Sequence, residues 1–224
     1  MVIIKSEFFN KRESVMLGNF KKAIFRVLCL GCAVMGGGLM ASQTPKELFD
    51  WGVESNKARN FTQAKKYFEK ACNLNYAEGC FGLGILYIHK DFGEKNYKKA
   101  LALMTKGCEL NYAVGCSFLG TLYQNGNGVK KDLKKAFASY TKACGLKEGY
   151  GCLRLGEMQR SGEGVVKNLK QAMKTLKKGC ELKNEMACMG YGVVELEIRQ
   201  ERCKLGDEVA CYTLEPLLDS MDSK

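Results

Sequence analysis

Residues 111–146 read NYAVGCSFLGTLYQNGNGVKKDLKKAFASYTKACGL, and the same text returns without a gap at 75–110 (NYAEGCFGLGILYIHKDFGEKNYKKALALMTKGCEL) and 147–182 (KEGYGCLRLGEMQRSGEGVVKNLKQAMKTLKKGCEL). A period of this length marks a solenoid, in which each unit buries its apolar face only against its neighbours and the end units are atypical. Residues 42–74 read as an opening unit that lacks the glycine loop, and residues 183–224 as a shortened closing unit or capping helix. Two prolines in 224 residues and few β-branched runs call for helix throughout. The expected fold is all-α, a right-handed αα-hairpin solenoid.

Four cysteine pairs sit on the same grid: Cys72/Cys80, Cys108/Cys116, Cys144/Cys152 and Cys180/Cys188. A fifth, Cys203/Cys211, keeps the inner spacing of eight but follows after only twenty-three residues. The stretch between Cys188 and Cys203 therefore has room for one helix rather than two. If residues 72–80 formed one continuous helix, their Cα atoms would lie about 12 Å apart, beyond the roughly 7 Å limit for a disulfide. Pairing within each couple thus demands a turn, for which Asn73, Asn75 and Gly79, or Gly145, Gly149 and Gly151, are the candidates. Pairing across neighbouring repeats is the alternative, and nothing in the sequence demands it. Zinc sites use ligands two to four residues apart and usually histidine, whereas downstream of residue 41 the chain has only His89. No metal and no cofactor is expected.

An oxidising compartment is expected from the N-terminus. Lys21, Lys22 and Arg26 precede the apolar stretch VLCLGCAVMGGGLMA, Val27 to Ala41. These are the charged and hydrophobic regions of a secretory signal over residues 1–41, with Met16 an alternative start. The stretch is too short and glycine-rich for a stable membrane span. The chain is then secreted or periplasmic, where an even set of cysteines forms a disulfide framework.

Loss of residues 1–41 removes six basic and two acidic side chains, and the formal charge falls from +11 to +7. The remaining lysines recur in patches such as Lys98-Lys99, Lys134-Lys135 and Lys177-Lys178, the pattern of a solvated helix face. Export argues against nucleic acid as a partner.

Within each unit the pattern splits into helix A (around 77–88, 113–124 and 149–160), a loop, and helix B (around 96–109, 132–145 and 168–181). Asn125-Gly126-Asn127-Gly128-Val129 and Ser161-Gly162-Glu163-Gly164-Val165 form glycine loops suited to positive φ, while 89–93 departs from them. Leu83-Gly84, Leu119-Gly120 and Leu155-Gly156 recur inside helix A, where glycine is unfavourable unless helices approach closely. Helix B matches them with small residues at Ala100, Ala136 and Ala172, seven before Gly107, Ala143 and Gly179.

Cys80, Leu83, Gly84 and Tyr87 share one face of helix A and recur. The opposite face does not: Phe81, Ile85 and Ile88 become Ser117, Thr121 and Gln124, then Leu153, Glu157 and Arg160. Variation on one face of a regular scaffold is what a ligand surface shows. Contact with the preceding helix, or with solvent, explains it equally well.

The pattern A-x-x-C-x-x-L-G-x-x-Y-x-x-G-x-G-V-x-K-D-x-x-K-A-x-x-x-Y-x-K-A-C, fullest between Ala113 and Cys144, resembles the Sel1-like repeat, a relative of the tetratricopeptide (TPR) repeat. The cysteine spacing and the segments KACNLNYAEGC and KGCEL are similar to the secreted Helicobacter cysteine-rich proteins. The resemblance implies a penicillin-binding protein with weak β-lactamase activity, or a helical scaffold that engages peptides or host proteins.

The residues themselves give that hydrolase little. A serine β-lactamase needs Ser-x-x-Lys with Ser-Asp-Asn and Lys-Thr-Gly elements. Only Ser139-Tyr140-Thr141-Lys142 fits the first, which makes Ser139 and Lys142 weak catalytic candidates. One histidine cannot build a metallo-β-lactamase site. Two expectations stand: a hydrolase acting on a β-lactam or peptidoglycan-like ligand, and a monomeric, non-catalytic scaffold binding peptides, cell-wall fragments or host proteins.

Overall fold

The computed structural model describes residues 43–93 and 95–213. The expected signal segment and residues 214–224 lie outside the described residues. Among the described residues ten α-helices follow one another: α1 (Pro45–Lys57), α2 (Phe61–Asn73), α3 (Ala77–Ile88), α4 (Tyr97–Glu109), α5 (Ala113–Asn125), α6 (Leu133–Gly145), α7 (Gly149–Ser161), α8 (Leu169–Glu181), α9 (Glu185–Lys204) and α10 (Glu208–Tyr212). A single 3₁₀ turn, Lys90–Phe92, lies between α3 and α4. No strand occurs among the described residues. Odd-numbered helices up to α9 are A helices and α2, α4, α6 and α8 are B helices. The contracted stretch holds the one helix expected of it, α9.

The B helices share one start signal. Asn60, Asn96, Asp132 and Asn168 stand thirty-six residues apart, and each accepts from the backbone N–H three residues on at 2.9–3.1 Å. Such a cap satisfies one of the orphan donors of a first turn. The backbone N–H of Asn96, Asp132 and Asn168 also donates to the carbonyl of Tyr87, Tyr123 and Gln159 at 2.7–2.9 Å, closing the A–B loop. Gly126, Gly128, Gly162 and Gly164 have φ between +73° and +77° there, as the loop glycines imply. At Gly128 and Gly164 space is lacking too: a Cβ would lie 2.6 Å from Tyr97 O and 2.9 Å from Leu133 O. Each loop thus rests on the first residue of the B helix one repeat earlier.

The turn between the cysteines falls on Asn75, one of the residues expected there, and not on the expected glycines. Its left-handed residue is Asn75 (φ 58°), Asn111 (63°), Lys147 (64°) or Lys183 (62°). The N–H of the next residue returns to the carbonyl five before it, as Tyr112 N does to Gly107 O at 3.0 Å, which satisfies the end of the B helix. Gly79 and Gly151 are helical instead, and a Cβ there would come within 2.6 and 2.5 Å of the Cβ atoms of Ala71 and Ala143. Their work is close approach. It brings Cys72 to Cys80, Cys108 to Cys116, Cys144 to Cys152 and Cys180 to Cys188 with Cα atoms 4.5 Å apart, and Cys203 to Cys211 at 4.8 Å. All five disulfides form within their couples, each tying one helix's end to the next helix's start.

The core is a chain of packets. Ala64, Phe68, Leu83 and Leu86 form the first, Met104, Leu119 and Leu122 with Cys108–Cys116 the second, Tyr140, Leu155 and Met158 with Cys144 and Cys152 the third, and Leu153, Leu169, Leu176 and Val194 the last. The recurring A-helix glycines face one B-helix column: a Cβ at Gly84, Gly120 or Gly156 would lie 2.9, 2.7 or 2.5 Å from Met104, Tyr140 or Leu176. The close approach read from Leu-Gly is real. Successive A helices also touch each other directly, whereas B helices pack chiefly against A helices. The A side is therefore the inner side of the curve and the B side the outer.

Candidate functional site

The nine non-repeating face positions divide by depth. Phe81 packs between Tyr112 and Phe118, with ring centroids 5.3 and 5.1 Å away. Ile85 packs on the second core packet, and Ile88, at the last turn of α3, is half-buried. Ser117 is 1% exposed and Leu153 4%. Ser117 donates its hydroxyl to Glu148 of the next repeat. These first-turn positions form the seam between consecutive A helices, so Phe81, Ser117 and Leu153 vary with the neighbour they meet.

The other positions open onto a cleft. About 730 Å³ of space lies between α5, α7 and α9 and is lined by Gln124, Arg154, Glu157, Arg160, Glu197 and Lys204, among others. The structure thus brings together Gln124, Glu157 and Arg160. Thr121, half-buried just beneath, sits 3.1 Å from the Tyr140 hydroxyl.

A polar network fixes the cleft wall. Tyr140 is fully buried, and its hydroxyl donates to Gln124 Oε1 at 3.0 Å. Arg154 Nη2 donates to the same oxygen at 2.9 Å, and Arg154 Nη1 reaches Glu157. Gln124 Nε2 donates to Glu163 Oε2 at 3.2 Å. Both ends of this amide are engaged, which fixes its orientation. Burial pushes the Tyr140 ionisation up, so the hydroxyl stays a neutral donor. Arg160 donates through Nε to Glu197 at 2.8 Å, joining α7 to α9, and Lys167 meets Glu201 at 3.6 Å.

Tyr140, Arg154, Glu163, Glu197 and Glu201 escape the sequence reading. Tyr140 did carry a signal, since it is the one hydroxyl in the column Phe68, Met104, Tyr140, Leu176. Glu197 and Glu201 had none: Glu197 stands where the preceding unit has Ser161, and Glu201 lies in the part of α9 that runs beyond the repeat.

No hydrogen bond joins Ser139 to Lys142 among the described residues. Ser139 is 8% exposed, and its hydroxyl donates to the Lys135 carbonyl at 2.8 Å, one helical turn back. Ser161, on the cleft rim, is likewise turned onto the Glu157 carbonyl at 2.9 Å. His89 caps the 3₁₀ turn, its Nδ1 accepting from Asp91 N at 3.3 Å. Among the described residues no group of three or more His, Cys, Asp or Glu could hold a metal ion. No described helix is long and apolar enough to cross a membrane.

Repeated αα-hairpins, a disulfide at each B-to-A turn and a polar inner cleft define a stapled helical-repeat protein. The Sel1 repeat family matches residues 49–76, 77–112, 113–147 and 149–184, more than half of the chain, and the chain belongs to that family. HcpC of Helicobacter pylori, provisionally named a β-lactamase, is 59% identical over 81 residues, 36% of this chain. That match spans only 28% of HcpC. Helicobacter pylori cysteine-rich protein B is 43% identical over 68% of this chain and 98% of its own, with a TM-score of 0.48. A Sel1 repeat protein of Oxalobacter formigenes superposes with a TM-score of 0.60 at 26% identity, covering 64% of this chain and 61% of that one. The five disulfides and the Helicobacter relatives agree on an extracellular or periplasmic protein.

Proposed function

We propose that this protein is an exported, monomeric, non-catalytic scaffold that binds an extended peptide, from a cell-wall fragment or a host protein, in the cleft between α5, α7 and α9. The single observation that carries this reading is the wall of that cleft, where Gln124, Arg154 and Glu157, residues the repeat does not require, hold one another in place on the hydroxyl of Tyr140. A wall ordered before the ligand arrives lowers the entropy cost of binding. Four carboxylates and four cations line the cleft, which suits a ligand bearing both signs over a long run of backbone polar groups.

The β-lactamase reading rests on the names of two relatives, HcpC and HcpA, each matched over little more than a quarter of its length. Ser139, whose hydroxyl donates to the Lys135 backbone carbonyl, gives it no support.

Selection of a displayed random-peptide library on the oxidised protein tests the proposal. Enriched peptides are expected to bind the Gln124→Ala/Arg160→Glu variant at least roughly tenfold more weakly. Equal affinity for both proteins, with unchanged circular dichroism, contradicts it.

A further inference from the structure

Within residues 44–213 the surplus of positive charge lies on the B helices. Residues 44–213 carry 28 basic and 19 acidic side chains, a surplus of nine. Helices α2, α4, α6 and α8 alone hold thirteen lysines against Glu69, Glu109 and Glu181, a surplus of ten. Everything else together is one charge negative, and the inner cleft is balanced.

On α8, Lys170, Lys174, Lys177 and Lys178 stand at i, i+4, i+7 and i+8, one continuous exposed stripe whose single carboxylate, Glu181, closes it at the helix end. The same register on α6 holds Lys134 and Lys142, and on α4 Lys98 and Lys106. Lys98, Lys134, Lys170, Lys174, Lys177 and Lys178 make no ion pair among the described residues, whereas cations of the inner cleft do. Like charges one helical turn apart repel by a few tenths of a kcal/mol each. Solvated helix faces ordinarily intersperse both signs. The stripes thus carry a standing cost that an anionic partner would relieve.

We infer that the outer, B-helix side is a docking surface for an acidic polysaccharide, a polymer bearing carboxylate or sulfate groups, with the α8 stripe as its anchor. The chemistry between the lysines selects this partner. Ala102, Thr105, Ala138 and Thr141 fill the other stripe positions, so no large apolar side chain is placed to enter a bilayer. An outward-curving surface meets a flat membrane over few helices, while a flexible chain follows all of them. Nucleic acid is scarce in the oxidising compartments where the disulfides persist.

The probe is a fluorescent heparin oligosaccharide titrated into the oxidised full-length protein at several salt concentrations. Affinity is expected to fall with salt and to drop at least roughly tenfold in Lys170→Glu/Lys174→Glu/Lys177→Glu/Lys178→Glu. The control Lys57→Glu/Arg59→Glu/Lys90→Glu/Lys130→Glu changes net charge equally and is expected to bind like the wild type. The four Lys→Gln changes on α8 repeat the test should the reversed variant fail to fold by circular dichroism. Equal losses in α8 and control variants would overturn the inference, as would binding to phosphatidylserine vesicles without binding to the oligosaccharide.

Discussion

The hydroxyl of Tyr140, fully buried between α5 and α6, donates to the side-chain oxygen of Gln124 at 3.0 Å, and so joins the core to the wall of the inner cleft. Phe68, Met104 and Leu176 fill the same column in the other repeats without that bond. Tyr140→Phe keeps the ring against Gly120 and deletes only the bond, so thermal unfolding should register a loss of about 1 kcal/mol.

The same hydroxyl sets a pH dependence. Burial raises the folded-state pKa of Tyr140 above its ordinary value near 10. A group that holds its proton more tightly when folded contributes fully below the unfolded pKa and loses that contribution as pH rises through the folded one. Stability should therefore decline above about pH 10. The decline should be shallower in Tyr140→Phe, though still present, since burial also raises Tyr112. Melting temperatures followed from pH 8 upward check the slope.

Two glycines in neighbouring helices should respond oppositely to alanine. A Cβ at Gly156 would lie 2.5 Å from Leu176 Cγ in the last core packet, so Gly156→Ala should destabilise by about 1–3 kcal/mol. At Gly145, the last residue of α6, nothing lies within 4 Å, and alanine should be neutral or stabilising by up to about 1 kcal/mol. Denaturant titration of both variants separates steric approach from helix propensity.

The staples should be unequal. Cys144→Ala/Cys152→Ala opens a buried mid-array loop and should cost about 2.5 kcal/mol of global stability. Cys203→Ala/Cys211→Ala frees only the five-residue α10, which is expected to fray locally with little change in the main transition. Hydrogen exchange at α10 against the global melt distinguishes the two.

The repeat, the helix positions and the cysteine couples were legible because each recurs four or five times, and recurrence separates signal from composition. The turn chemistry was half legible: Asn75 was among the candidates, but Gly79 and Gly151 looked like turn residues too, and they are used for helix contact while Lys147 takes the left-handed position. The candidate face was half legible. A helical wheel placed Phe81, Ser117 and Leu153 beside Gln124, Glu157 and Arg160, but only tertiary stacking shows that the first turn of each A helix is covered by the next repeat while the last turn opens on the cleft. Arg160's partner Glu197 stands where the preceding unit has Ser161, so its carboxylate is new to that position and no period announces it.

The most direct test of the central claim, a binding scaffold in place of a hydrolase, is turnover of a chromogenic cephalosporin by the purified, oxidised protein beside its Ser139→Ala variant. With Ser139 bonded to the Lys135 carbonyl, neither protein is expected to hydrolyse the substrate above the buffer rate. Turnover by the wild type that disappears in Ser139→Ala would contradict the account.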